Sequence, residues 1–188
     1  GPSERVDDDE RTRFGRNERV MQDFKGRVVV VTGAGSGIGR GLCEEFGSEG
    51  ARIVAADIEE AALHETLASL HGCGVEAVGR RTDVRSAADL TALADQAFAR
   101  FGAVHVLCNN AGVFAGGLVW ETTDADWDWS LAVNLRGVLN GIRAFVPRMI
   151  AGGEPGHVLN TASVAGVISS PLASIYTTTK FAVVGLTE

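Results

Sequence analysis

The stretch from Val28 to Gly39 constrains this chain more than any other. Val28 to Val31 form an unbroken β-branched run that passes through Thr32 into Gly33-Ala34-Gly35-Ser36-Gly37-Ile38-Gly39. Such a run suits a parallel strand buried on both faces. Glycines placed where a strand gives way to a helix let main-chain N–H groups approach a pyrophosphate at the positive helix terminus. The spacing is GxxxGxG, from Gly33, Gly37 and Gly39; Ile38 stands where the commoner GxGxxG would have its third glycine. No GKS or GKT follows, so nothing points to a P-loop. Gly33, Ser36, Gly37, Ile38 and Gly39 are therefore candidate dinucleotide contacts, the alternative being a glycine-rich turn without a ligand.

The remaining chain alternates strands with helices. Ile38, Leu42 and Phe46 recur every four residues and predict a helix that ends at Gly50. A second strand, Arg52 to Ala56, precedes a helix carrying Leu63, Leu67 and Leu70, and a short third strand is expected around Val75 to Val78. Ser86 and Asp89 signal a helix start ahead of Leu90, Leu93, Ala97 and Phe101, with Gly102 as the stop. Val104 to Cys108 reads as a fourth strand. A long helix from about Asp124 to Ile150 carries Leu131, Leu135, Val138, Ile142, Phe145 and Met149, and leads to a fifth strand, His157 to Thr161. A last helix begins near Ala173. Five such alternations with short connections imply right-handed crossovers and an α/β, doubly wound parallel sheet of Rossmann type with helices on both faces. Ligands of such sheets bind beyond the carboxyl ends of the strands.

Charge and cysteine content narrow the class. The 188 residues carry 17 Lys plus Arg against 24 Asp plus Glu, a net charge of -7, which disfavours unspecific nucleic-acid binding. Cys43, Cys73 and Cys108 are too few and too scattered for a disulfide framework or a metal knuckle, which points to a reducing, cytoplasmic setting. His64, His71, His105 and His157 show no metal-ligand spacing and read as surface or strand-edge residues. Trp120, Trp127 and Trp129 read as packing or interface aromatics. Apolar runs fall short of a membrane span, so no membrane partner is expected. Residues 1–23 mix both charge signs with little apolar content and read as a flexible arm, in which Gly1-Pro2-Ser3 resembles the remnant of a cleaved tag. Residues 24–188 form the expected domain.

Candidate chemistry falls just after strands. Asp57 closes the second strand, where a carboxylate can accept hydrogen bonds from the adenosine ribose and repel a 2′-phosphate; its other reading is a cap for the next helix. Ile58, Glu59 and Glu60 bring no cation, so NAD is favoured over NADP. Tyr176 and Lys180 are four apart and share a helix face. A cation so near favours phenolate over phenol. Tyr176 is the only tyrosine, and Ser163, at the end of the fifth strand, is placed to meet the pair over the sheet edge. A hydrolase with Ser163 as nucleophile is disfavoured, because its surroundings lack a GxSxG elbow and no histidine follows it.

These residues resemble the classical short-chain dehydrogenase/reductase family from about Lys25 to Glu188. The resemblance rests on TGxxxGIG at Thr32 to Gly39, Asp57, Asp83-Val84, the NNAG of Asn109 to Gly112, Asn134, Ser163 and Tyr176-xxx-Lys180, in the family's order. It implies a cytoplasmic, homo-oligomeric (dimeric or tetrameric) NAD(P)-dependent oxidoreductase that interconverts a small-molecule secondary alcohol and a ketone. Tyr176 would be the general acid/base and Ser163 would hold the substrate oxygen. Lys180 would tune Tyr176 and bind the nicotinamide ribose, Asn134 would position a relay water, Asp83 and Val84 would flank the adenine, and Asn110 would lie against the cofactor. Phe114, Val119 and Trp120 read as the apolar lip of a substrate pocket. The alternative is a catalytically incompetent dinucleotide-binding or regulatory module.

The family pattern continues past the tyrosine helix, whereas this sequence stops at Glu188. The expectation is a domain incomplete at its C-terminus, with the fifth strand as an open sheet edge and with Phe181, Val183, Val184 and Leu186 short of partners.

Overall fold

The computed structural model describes Met21 and residues 23–188; the rest of the expected arm lies outside the described residues. The sheet consists of β1 (Val28–Thr32), β2 (Arg52–Asp57), β3 (Ala77–Arg81), β4 (Val106–Asn109) and β5 (His157–Asn160), in the order β3-β2-β1-β4-β5. Every pairing is parallel. The helices are α1 (Gly37–Ser48), α2 (Glu60–Gly72), α3 (Ala87–Phe101), α4 (Asp124–Leu131), α5 (Gly137–Gly152) and α6 (Ser174–Thr187).

β1 is central and wholly buried, and alternation along it divides the core. Val28 and Val30 join Leu90, Leu93, Ala97, Leu107 and Phe145 on the face covered by α3 and α5. Val29 and Val31 join Cys43, Ile53, Leu63, Leu70 and Val106 on the face covered by α1 and α2. Burial of each valine, leucine, isoleucine or phenylalanine among them contributes about 1.5–3 kcal/mol relative to exposure. Both faces are therefore occupied around β1, β2 and β4, and the carboxyl edge is left for function.

Local signals act as expected in α3, where the Ser86 hydroxyl accepts from Asp89 N and Gly102, at φ 80°, stops the helix. Four expectations are corrected. First, β3 begins at Ala77 because the Val75 N–H is spent on the Leu70 carbonyl that closes α2. Second, α1 buries Gly39, Cys43 and Gly47; Ile38 is 67% exposed at its mouth, and Leu42 and Phe46 are half-buried. The small residues let the helix lie close, with a Cβ at Gly47 only 3.0 Å from Val75. Third, the long helix is divided by a π-turn, Ala132–Arg136, whose last bond joins Gly137 N to Ala132 O. Fourth, His105 is buried: its Nδ1 accepts from Val28 N at 3.0 Å, so Nε2 carries the proton and donates to Glu154 at 2.9 Å.

β5 stands at the sheet edge with Val158 and Leu159 exposed. Within α6, Val183 is buried and Val184 half-buried, against the expectation, while Phe181 and Leu186 are exposed. Val183 and Val184 are covered because α6 packs on the 3-10 turn Val164–Gly166. The described helices include none long and apolar enough to cross a membrane.

Candidate active site

The turn after β1 is shaped by close approaches. Gly33 has φ +67°, and a Cβ there would come within 2.9 Å of the Ala111 main chain. A Cβ at Gly39 would overlap the Gly33 carbonyl oxygen. Gly37 adopts φ +51° and nothing crowds it, so its glycine serves conformation instead of space. Ser36, Gly37 and Ile38 are exposed at the start of α1, where unpaired N–H groups favour an anion.

Asp57 is not the cap of α2, a position that Glu59 holds without a side-chain bond. Asp57 Oδ2 accepts from Gly35 N at 2.7 Å and its Oδ1 from Glu59 N at 2.9 Å. The carboxylate thus ties the glycine turn to the approach of α2. Two of its roughly four lone-pair positions stay open. It lines a cavity of about 400 Å³ with Gly33, Ser36, Asp83, Val84, Gly112 and Trp129. Trp129, read from sequence as a packing aromatic, is thus a wall of the cleft. A larger cavity of about 600 Å³, between Lys25, Glu44, Arg52 and Cys73, lies at the opposite edge, away from every candidate residue.

Asn110 joins three strands. Its main-chain N–H donates to Thr32 Oγ1, its Nδ2 donates to the Thr32 carbonyl, and its Oδ1 accepts from Thr161 Oγ1 at 3.2 Å. Thr161 in turn receives Lys180 Nζ at its carbonyl oxygen, at 2.6 Å. A polar path therefore runs from the glycine turn to the lysine.

Lys180 is only 4% exposed, and burial pulls its pKa below the ordinary lysine value. Its ammonium lies 5.6 Å from the centre of the Tyr176 ring. Asn134, in the π-turn, is buried; its Oδ1 accepts from Val113 N at 2.8 Å, and its Nδ2 donates to Val113 O and to Thr179 Oγ1. Both amide hydrogens are committed. A Cβ at Gly112 would meet Asn134 Oδ1 at 3.4 Å and Lys180 Nζ at 3.6 Å, so the two groups flank this glycine. Ser163 caps the 3-10 turn, its hydroxyl oxygen accepting from Ala165 N, which leaves the O–H free to donate. No hydrogen bond joins Ser163 to Tyr176 among the described residues.

Thr179 and Leu172 are among the residues that escaped the sequence reading. Thr179 donates to the Tyr176 carbonyl while accepting from Asn134. Leu172 holds φ +62° with its carbonyl receiving Gly117 N at 2.7 Å, and this clasp sits beside Phe114, whose ring lies 5.2 Å from Tyr176. A non-glycine residue in the left-handed region is a recognisable strain only once the backbone is seen.

Taken together, the glycine cradle, the acidic cleft and the lysine-tyrosine helix on a doubly wound sheet define a nucleotide-binding domain of dehydrogenase type. Residues 27–188 match the short chain dehydrogenase family, and the chain belongs to that family. It is 42% identical over 169 residues to C alpha-dehydrogenase of Sphingobium sp. strain SYK-6, spanning 89% of this chain and 55% of that protein. It is 34% identical over 168 residues to the CLA biosynthesis dehydrogenase/reductase of Lactiplantibacillus plantarum, spanning 89% and 59%. Among solved structures, a short chain dehydrogenase/reductase from Burkholderia phymatum in complex with NAD is 50% identical with a TM-score of 0.88, over 89% of this chain and 59% of that one. The apo form of LigO from Sphingobium sp. strain SYK-6 is 40% identical with a TM-score of 0.86, over 88% and 62%. The chain thus spans 55% to 59% of the length of these two curated relatives.

Proposed function

We propose that the protein is an NAD-dependent oxidoreductase interconverting a secondary alcohol and a ketone, with Tyr176 as general acid/base. The observation that carries this reading is the buried Lys180 ammonium 5.6 Å from the ring of Tyr176, at the carboxyl edge of the sheet. The residues fit a dinucleotide, since Ser36, Gly37 and Ile38 leave the start of α1 open and the cleft beyond is lined by Asp57 and Val84. Gly33, Ser36, Gly37, Ile38 and Gly39 would hold the pyrophosphate, Asp57 the adenosine ribose, Asp83 and Val84 the adenine, and Asn110 and Lys180 the nicotinamide end. Bound there, the nicotinamide supplies or accepts the hydride.

The chain's own work is proton placement. In ketone reduction, the Tyr176 hydroxyl donates its proton to the substrate oxygen as negative charge develops there, and the Ser163 O–H steadies that oxygen with a second hydrogen bond. Lys180 favours the phenolate left behind. With both amide hydrogens of Asn134 committed, it would serve a relay water through Oδ1 or its main chain. Phe114, Val119 and Trp120 are exposed after β4 and favour a hydrophobic substrate. The same reading includes a cytoplasmic setting and a homodimer or homotetramer, which light scattering checks.

The test is Tyr176→Phe against a panel of ketones and alcohols. It is expected to lower turnover by about 10²-fold or more while leaving NADH binding, read by nicotinamide fluorescence, nearly intact. Wild-type turnover in that variant would overturn the reading.

A further inference from the structure

The cleft in front of Asp57 contains a guanidinium that residues 58–60 do not reveal. Arg85 lines the same cavity as Asp57, Glu59 and Asp83, and among its described lining residues it is the one cation. Arg85 is engaged by its neighbour. Its Nε donates to both Asp83 oxygens at 2.9 and 3.0 Å, and its Nη2 donates to Oδ2 at 2.6 Å. The Arg85 main-chain N–H also donates to Asp83 Oδ1 at 3.0 Å, so the backbone fixes the carboxylate and the flexible arginine comes to it. The guanidinium bond is the chief reason that the Asp83 carboxyl lies below its usual range, and the pair stays charged at neutral pH.

We propose that Asp83 is a specificity determinant: by holding Arg85 in a forked ion pair, it withdraws from the cleft the cation that would otherwise accept a 2′-phosphate, and so disfavours NADP(H). This rests on the dinucleotide reading above. Three carboxylates, Asp57, Glu59 and Asp83, share the cavity with one guanidinium. A 2′-phosphate near Asp57 meets like charge and gains relief only if Arg85 leaves Asp83, which strands a third unpaired carboxylate in the same cleft. Such a partly exposed pair contributes little to stability, so selectivity is the property it is placed to affect.

The test is a fluorescence titration of NADH and NADPH onto the purified protein and its Asp83→Asn, Arg85→Ala and double variants, with circular dichroism confirming the fold. The asparagine keeps an acceptor for Arg85 N while releasing the guanidinium. Asp83→Asn is expected to lower the ratio of NADPH Kd to NADH Kd by about tenfold or more, the scale of a charge-assisted hydrogen bond. Arg85→Ala alone leaves Asp83 unpaired in the cleft and should hold the ratio or raise it, and the double variant should return it to near the wild-type value. The proposal is overturned if Asp83→Asn binds NADH with an unchanged ratio. It is equally overturned if the shift survives in the double variant, which would assign it to lost repulsion or to Arg81, the cross-strand partner of Asp57. A fall in the ratio on Arg85→Ala alone would also sink it, because the unpaired Asp83 carboxylate would then not oppose the phosphate. Wild-type protein that binds neither nucleotide would instead refute the dinucleotide reading itself.

Discussion

Thr179 and Asn134, 45 residues apart, are joined by a buried hydrogen bond of 3.0 Å from the asparagine amide to the threonine hydroxyl. The hydroxyl in turn donates a hydrogen bond to the Tyr176 carbonyl at 2.8 Å. One side chain thus fastens the π-turn to the helix that carries tyrosine and lysine. Thr179→Val keeps the shape but leaves an amide hydrogen unpaired in a dry site. A loss of about 1–3 kcal/mol is expected in urea unfolding, and Thr179→Ser should recover most of it. An unchanged midpoint in the valine variant would show that the bond contributes nothing.

Lys180 should leave a signature in alkaline stability. Burial lowers its pKa in the folded protein, so the native state sheds this proton before the unfolded chain does. Between that depressed value and the unfolded value near ~10.4, the unfolded state binds more protons and Lys180 makes stability rise with pH. The buried thiols of Cys43 and Cys108 act oppositely. Burial pushes both to about 12, and the native state keeps protons that the unfolded chain loses nearer ~8.5, so they make stability fall as pH climbs. Comparing Lys180→Met with wild type isolates the lysine: the variant should lack its rising contribution, read from unfolding midpoints between about pH 8 and 10.

The thiols also predict a labelling pattern. Cys43 and Cys108 are buried, whereas Cys73 is exposed, and all three are free. Iodoacetamide at pH 8 should add one group to the native protein, at Cys73, and three after denaturation, as counted by mass spectrometry. Rapid native labelling of Cys108 would contradict the packing of β4.

Two glycines of α1 should respond oppositely to alanine. Gly39→Ala drives a methyl group into the Gly33 carbonyl, so both thermal stability and NADH affinity should fall. Gly41 has nothing within 4 Å of an added Cβ, and Gly41→Ala should gain about 0.5–1 kcal/mol in thermal unfolding through helix propensity.

The sequence exposes these features unequally, for physical reasons. The glycine turn, Asp57 and the Tyr176-Lys180 spacing are legible because each depends on local geometry within a few residues. The buried face of α1 is not: a four-residue apolar recurrence marks Ile38, Leu42 and Phe46, whereas closeness to the sheet selects the neighbouring small-residue stripe, Gly39, Cys43 and Gly47. His105 reads as polar and peripheral because its partners, Val28 N and Glu154, are 77 and 49 residues away. Arg85 belongs to a different strand end from Asp57, so a search along residues 58–60 cannot meet it. Leu172 carries no composition signal for its left-handed backbone.

The π-turn at Ala132–Arg136 makes this part of the chain intolerant of changes in length. It takes in one residue more than an α-helical ladder would, and each residue of an α-helix advances the next by about 100°. α4, before the turn, packs on α6, whereas α5, beyond it, packs on α3. Deleting a single residue here would let an uninterrupted ladder form and would swing one half around the other by about that angle. Either Asn134 would leave Thr179 or Phe145 would leave the core. Substitutions in this segment can be accommodated one side chain at a time, but a frame-preserving deletion of one codon would force the protein to choose between its chemistry and its packing.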